Sequence, residues 1–254
     1  MQTKGYAAQS ADTPLAPFTF ARRELGPRDV QVAIDFCGIC HSDIHFARNE
    51  WGFTAYPAVP GHEIIGRVVA TGPEITRLKA GQRVGVGCFV NSCGKCASCK
   101  GGHENYCEVG PIMTYASVEP DGVTSTFGGY SRDIVVDEHF VLSIPDGMDP
   151  AGAAPLLCAG ITTYSPLRAV GLKKGSRVAV MGLGGLGHMG VKLAASFGAE
   201  VTVWSRSPEK EADARRLGAT DFVLTGTPGA LEALAGRYEP SSTRFPPGTI
   251  FRRR

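Results

Sequence analysis

The residues of this chain best suited to chemistry are its eight cysteines and six histidines, and they are unevenly spread. Cys93, Cys96, Cys99 and Cys107 follow the spacing C-x2-C-x2-C-x7-C. Four thiolates able to converge on one point are what a closed tetrahedral zinc site requires. The short spacers let the first three fold round one ion through turns, helped by Gly94, and Lys95 and Lys100 offset the charge of the thiolates. An iron–sulfur cluster is the rival reading, because C-x2-C-x2-C also opens ferredoxin motifs. Here the fourth cysteine is followed by Glu108 rather than proline, and no second set exists. A four-thiolate zinc leaves no position for water, so this set is expected to stabilise a lobe and not to react.

A second group is dispersed. Cys37-Gly38-Ile39-Cys40-His41-Ser42-Asp43-Ile44-His45 is followed by Gly61-His62-Glu63-Ile64-Ile65-Gly66, and Cys158 lies much later. Each of these residues taken alone is a weak signal, since a lone buried cysteine is most often a small hydrophobe. A third feature is Gly182-Leu183-Gly184-Gly185-Leu186-Gly187, which matches G-x-G-x-x-G after an apolar strand pattern and before a helical one. In that context the glycines let backbone N–H groups approach a pyrophosphate at the positive end of a helix. The next strand pattern ends in Trp204-Ser205-Arg206-Ser207, with no acid to bond a ribose 2′-hydroxyl. Ser205 and the planar fork of Arg206 suit a 2′-phosphate, and Lys210 can add charge, so NADP(H) is expected over NAD(H).

Together these segments resemble the zinc-containing alcohol dehydrogenases of the medium-chain dehydrogenase/reductase superfamily. The wording Cys-Gly-Ile-Cys-His-Ser-Asp-Ile-His and Cys-Ala-Gly-Ile-Thr-Thr-Tyr-Ser is most similar to the cinnamyl-alcohol dehydrogenase branch. The resemblance runs from the N-terminus to about residue 236. It implies that Cys40, His62 and Cys158 hold a catalytic zinc, a Cys2His set with a fourth position for water or substrate oxygen; alcohol dehydrogenase is itself the standard example of that set. It implies two zinc ions per chain. Ser42 would take a proton from a bound alcohol and pass it through the cofactor ribose towards His45, Asp43 would orient His62, and Glu63 would stand beside the metal. Thr162 joins the cofactor contacts. Trp51 reads either as a pocket wall or as an ordinary buried aromatic, and Cys37 and Cys88 read as packing.

The elements that must position these groups fall into two halves. Val30 to Phe36, Ile64 to Ala70, Arg83 to Val86 and Arg132 to Val136 read as strands separated by turn signals. Residues 1–147 are therefore expected to form a mostly-β domain, which the resemblance identifies as a GroES-like catalytic domain. Ala151 to Val170 reads as helix, and the order strand–helix–strand–helix–strand from Arg177 to Leu224 implies a parallel Rossmann-type sheet over residues 148–238. The fold class is thus α/β plus β.

Nothing after residue 225 reads as the fourth to sixth strands of the order 3-2-1-4-5-6. Residues 239–254 carry three prolines and a terminal arginine run, and read as a disordered tail. On this reading the sheet is C-terminally truncated, strand 1 has an open edge, and the surface through which family members associate as homo-oligomers is missing. A frameshifted or prematurely ended product is one explanation.

Composition narrows the rest. Hydrophobic residues make up 43% and charged residues 20%, a soluble globular profile. A net charge of +2 without a basic stripe argues against nucleic acid, and no apolar run is long enough to span a membrane. The N-terminus lacks an apolar signal segment, so a cytoplasmic location is expected. Two functions remain: an alcohol dehydrogenase or aldehyde reductase acting on a small primary alcohol or aldehyde, and an inactive fragment that keeps zinc and at most weak nucleotide binding. A zinc-free quinone reductase is disfavoured by the joint presence of Cys40, His62 and Cys158.

Overall fold

The computed structural model describes residues 1–230, 232–234, 239–240 and 250–252. Contacts divide the chain into two units, Met1–Cys158 and Ala159–Arg254.

The first unit opens with β1 (Gln2–Ala7) and β2 (Ala16–Ala21), an antiparallel hairpin. Its larger sheet holds β3 (Asp29–Cys37), then, after helix α1 (His41–Ala47), β4 (Ile64–Thr71) and β5 (Arg83–Val86). β6 (Phe89–Asn91), the one-turn α2 (Ala97–Lys100) and β7 (Ile112–Met113) build a side lobe, and β8 (Asp133–Asp137) and β9 (Val141–Ser143) complete the main sheet in the order β8-β3-β4-β5-β9. β-Branched residues suit the pleated surface, and Val30, Val32, Ile64, Val68, Val84, Val86, Val136 and Val141 form one core with almost no solvent exposure. Burying each such side chain contributes about 2 kcal/mol before conformational entropy is set against it.

The unit continues through α3 (Pro150–Ala153) and a 3-10 turn, Ala154–Leu157. Ala153, Ala154 and Leu157 pack on Ile65 and Ile144, which is why the division falls after Cys158 rather than at residue 147. The expected single helix over 151–170 is accordingly two pieces broken at Cys158, whose backbone (φ −125°, ψ −76°) is not helical.

The second unit begins with α4 (Ala159–Ala169) and runs through β10 (Arg177–Met181), α5 (Gly185–Ser196), β11 (Glu200–Ser205), α6 (Glu211–Arg216) and β12 (Asp221–Leu224). β12-β11-β10 is a parallel sheet in the order expected for strands 3, 2 and 1. Its central residues Val178, Val180, Val201 and Val203 are fully buried, as befits strands with both faces covered.

One expectation is corrected here. β13 (Glu239–Pro240) and β14 (Ile250–Arg252) lie within the stretch read as a disordered tail. β14 pairs antiparallel with Val178–Val180, so the edge of β10 expected to be open is covered. The tail residues 241–249 and 253–254 lie outside the described residues. Among the described residues no helix is long and apolar enough to cross a membrane.

Candidate functional site

In the side lobe, the sulfurs of Cys93, Cys96, Cys99 and Cys107 lie within 4.8 Å of one another, with Cys93 and Cys99 3.9 Å apart. A tetrahedron with 2.3 Å metal–sulfur bonds has edges of about 3.8 Å, so the spacing fits zinc. The backbone of the turns is aimed at the sulfurs. Amides of Lys95 and Cys96 hold the Cys93 thiol low, the amide of Glu108 does the same for Cys96, and that of Cys93 for Cys107. Cys99 has the Ser92 hydroxyl 3.4 Å away, yet burial and the Cys96 sulfur push it up to about 11. Four sulfur donors, with no other ligand type among them, fit a structural ion.

The dispersed set also converges. Donor atoms of Cys40, His62, Glu63 and Cys158 lie within 4.8 Å of one another, and the Cys40 and Cys158 sulfurs are 3.8 Å apart across 118 positions of sequence. Local structure explains how each arrives. Cys40 is the N-cap of α1, and Asp43 reaches back from the third helical position to accept the Cys40 N–H at 2.9 Å. His62 follows Gly61, whose φ of +102° favours glycine and whose Cβ position is filled by Tyr130 and Cys37. Glu63 lies against Gly38, where a Cβ would strike its carboxylate. Cys158 is carried by the non-helical break just described.

Asp43 is 3% exposed, and its Oδ1 lies 3.1 Å from His62 Nδ1. That contact leaves Nε2 to face the sulfurs, the arrangement the sequence reading expects. Burial opposes charge on His62, but the Asp43 carboxylate and the two thiols raise it to about 12. Burial likewise pushes Asp43 up, and the hydrogen bond to His62 outweighs this to hold the carboxyl below its usual range. Glu63 is pushed up to about 7 by burial and the neighbouring Cys40, and Cys40 to about 11 by Cys158 and burial. Donors gathered this tightly hold protons that a divalent cation would replace, and the soft thiolate and imidazole chemistry fits zinc.

Ser42 directs its amide and hydroxyl at the Cys40 sulfur. His45 stands three positions further along α1, hence on the same helix face. Its Nδ1 pairs with Glu50, a partner the sequence reading missed because it lies beyond the helix. Trp51 is not a buried aromatic: it is 45% exposed, with its ring 5.6 Å from Phe53 and 5.6 Å from His45. Tyr130 and Tyr115 were also missed: the Tyr130 hydroxyl donates to Asp43 Oδ2 at 2.9 Å, and the Tyr115 ring lies 5.3 Å from that of His62.

The second unit brings the nucleotide-loop residues together. Gly182 (φ +83°) donates its N–H to Trp204 at 2.7 Å, so the loop sits beside the end of β11. Gly187 packs on the Gly182 carbonyl where any side chain would collide, while Gly184 and Gly185 face open space. α5 starts at Gly184 without a side-chain cap, leaving its first amides available to an anion. Leu186 is half-buried on that first turn. Lys210 Nζ donates to the Leu183 carbonyl at 3.2 Å. Ser205 is buried and its hydroxyl accepts the Ser207 N–H at 3.1 Å, whereas Arg206 is exposed. Thr162 is exposed on α4, and its neighbour Thr163 is the buried one.

The alcohol dehydrogenase GroES-like domain matches residues 26–146. The chain is 55% identical over 235 residues to NADP-dependent alcohol dehydrogenase C 1 of Mycolicibacterium smegmatis, covering 92% of this chain and 67% of that protein. Among solved structures it resembles a cinnamyl alcohol dehydrogenase from Sorghum bicolor, with a TM-score of 0.89 and 45% identity over 93% of this chain and 67% of that one. A cinnamyl alcohol dehydrogenase from Helicobacter pylori complexed with NADP(H) gives 0.84 and 45%, over 88% of this chain and 65% of that one. The chain thus spans about two thirds of the length of these relatives. A GroES-like domain followed by a parallel sheet with a glycine loop is the architecture of the medium-chain dehydrogenase/reductases. Within that superfamily, this chain belongs to the zinc-containing alcohol dehydrogenases, in the cinnamyl-alcohol dehydrogenase-like branch.

Proposed function

We propose that the chain transfers hydride between NADP(H) and a primary alcohol or aldehyde, working mainly as an aldehyde reductase, with a catalytic zinc at Cys40, His62 and Cys158 and a structural zinc at Cys93, Cys96, Cys99 and Cys107. The observation that carries this reading is the convergence of Cys40, His62 and Cys158, with Asp43 behind His62. A zinc held there supplies Lewis-acid polarisation of the substrate oxygen.

The chain's own residues do the rest. Ser42, which can donate and accept at once, takes the proton of the alcohol in oxidation and returns one in reduction. His45, three positions along the same helix and paired with Glu50, exchanges that proton with solvent. Gly182, Gly184, Gly185, Leu186 and Gly187 cradle the pyrophosphate with backbone amides. Ser205, Arg206 and Lys210 receive the 2′-phosphate, and Thr162 contributes to the cofactor contacts. NADPH held there would supply the hydride for the aldehyde carbon, while Ser42 and His45 supply the proton for its oxygen. Trp51 and Phe53 offer an apolar wall to the substrate.

The deciding experiment is an assay of the mass-verified chain for NADPH oxidation with an aromatic and an aliphatic aldehyde. Turnover that disappears in Cys40→Ser supports the proposal. Zinc-loaded, folded protein without turnover would instead favour a chain that binds metal and nucleotide but does not react.

A further inference from the structure

We propose that Tyr130 is a positioning residue of the metal corner: its hydroxyl fixes the carboxylate of Asp43 and, through it, the ring of His62. This rests on the reading that Cys40, His62 and Cys158 hold zinc.

The carboxylate of Asp43 is buried and fully subscribed. Oδ1 accepts the Gly61 N–H at 3.0 Å and faces His62 Nδ1 at 3.1 Å. Oδ2 accepts the Cys40 N–H at 2.9 Å and the Tyr130 hydroxyl at 2.9 Å. Each oxygen therefore has two partners, and together they set the plane of the group. Without the phenol, Oδ2 loses one of its two hydrogen bonds and keeps the Cys40 amide, so the torsion of the carboxylate is held less firmly. The alignment of Oδ1 with His62 then rests on the Gly61 and Cys40 amides alone.

Tyr130 is suited to this task because its backbone is locked to the segment that carries His62. Its N–H donates to the Pro60 carbonyl at 3.0 Å, the Gly129 N–H to Gly61 at 2.8 Å, and the Gly128 N–H to Val59 at 2.7 Å. Its own carbonyl accepts the Tyr6 N–H at 2.8 Å. The ring presses on Gly61, where a Cβ would lie 2.7 Å from Tyr130 Cδ1. The phenol and His62 thus share one frame and cannot drift apart. The ring packs with Ala7, Phe20 and Val59, and that role needs no hydroxyl. Core packing belongs to the ring and aim to the oxygen. Tyr115 packs beside the same corner, its ring centroid 5.3 Å from that of His62.

The test compares Tyr130→Phe with Tyr56→Phe in the full chain. Tyr56 is a matched control, because its hydroxyl donates to the Ala47 carbonyl at 2.8 Å and does not touch Asp43. Zinc affinity is measured by chelator competition, and site geometry by the visible spectrum after cobalt substitution, each as a difference from Cys40→Ser. Melting of the metal-free proteins gives the purely structural effect. Tyr130→Phe should bind zinc about ten-fold more weakly and shift the cobalt bands, whereas Tyr56→Phe should do neither. If metal-free Tyr130→Phe also melts lower, affinity and cobalt spectra are compared at a temperature where both metal-free proteins are fully folded. Unchanged affinity and a superimposable cobalt spectrum in Tyr130→Phe would overturn the proposal alone. Wild-type chain that holds no more metal than Cys40→Ser would overturn the zinc reading and the proposal with it.

Discussion

His62 Nδ1 lies 3.1 Å from Asp43 Oδ1, and the same carboxylate accepts the Cys40 amide, so one acid registers two members of the metal set against each other. Every neighbour of that carboxylate is a donor. Asparagine would keep its shape but bring an NH2 group to face donors. Asp43→Asn should therefore weaken zinc at this site at least about ten-fold, by chelator competition. It should also lower stability by about 1–3 kcal/mol in urea unfolding, from polar groups left buried without partners. Wild-type affinity in the variant would show that the carboxylate does not aim His62.

The four-cysteine lobe makes a separate claim. Cys107→Ser should reduce bound zinc from about two equivalents to about one by atomic absorption. Proteolysis should then begin between residues 93 and 110, while NADPH-linked activity, if present in the wild type, is reduced far less than by Cys40→Ser. Loss of both metals together would mean that the two sites are one cooperative structure.

On the proposed reading, cofactor choice rests on the residues after β11. Replacing Arg206 by Ser should lower affinity for 2′-phospho-ADP-ribose about ten- to hundred-fold, the scale of charge-assisted hydrogen bonds. ADP-ribose affinity should hardly change. Calorimetric titration of both ligands decides it, and equal losses for the two would remove Arg206 from phosphate recognition.

Outside the proposed sites, Arg23 grips Asp29 through both terminal guanidinium nitrogens, and its Nε bonds Glu119 at 3.2 Å. Burial raises the Asp29 carboxyl, but Arg23 more than offsets this and holds it below its usual value. A depressed folded-state pKa contributes stability above the unfolded value near 4 and loses it as pH falls through the folded value. Asp29→Asn should thus cost about 1–2 kcal/mol at pH 7, and the difference from wild type should shrink below about pH 4. A pH-independent difference in melting would assign the cost to the amide of Gly26, which Asp29 also accepts at 2.7 Å.

Spacing and residue type carried most of the site. Cys93 to Cys107 fit within one short window, and the glycine loop joins neighbouring elements, so local sequence suffices for both. Cys40, His62 and Cys158 needed the family resemblance, because 118 positions separate the two sulfurs and no local period predicts their meeting. Tyr130 lay beyond reach for the same reason, 87 positions from Asp43, although Gly128 and Gly129 before it hint at a close backbone approach. The hairpin of β1 and β2 and the helix break at Cys158 were missed as well. Both depend on tertiary partners: β1 buries alternate residues against the body of the unit, and Leu157 is drawn towards Ile65 and Ile144. The pairing of β14 with β10 had no forewarning in a stretch without hydrophobic period.

The 3.8 Å approach of Cys40 to Cys158 also has a meaning in polymer terms. An ion shared by these sulfurs would be a removable cross-link that ties about three quarters of the first unit into one ring. In a denatured chain that keeps the tie, the freedom lost amounts to roughly 4–5 kcal/mol for a loop of this size. Stripping the metal would cut the ring without breaking a covalent bond, so a chelator should slow refolding and lower the melting point as reduction does for a long-range disulfide.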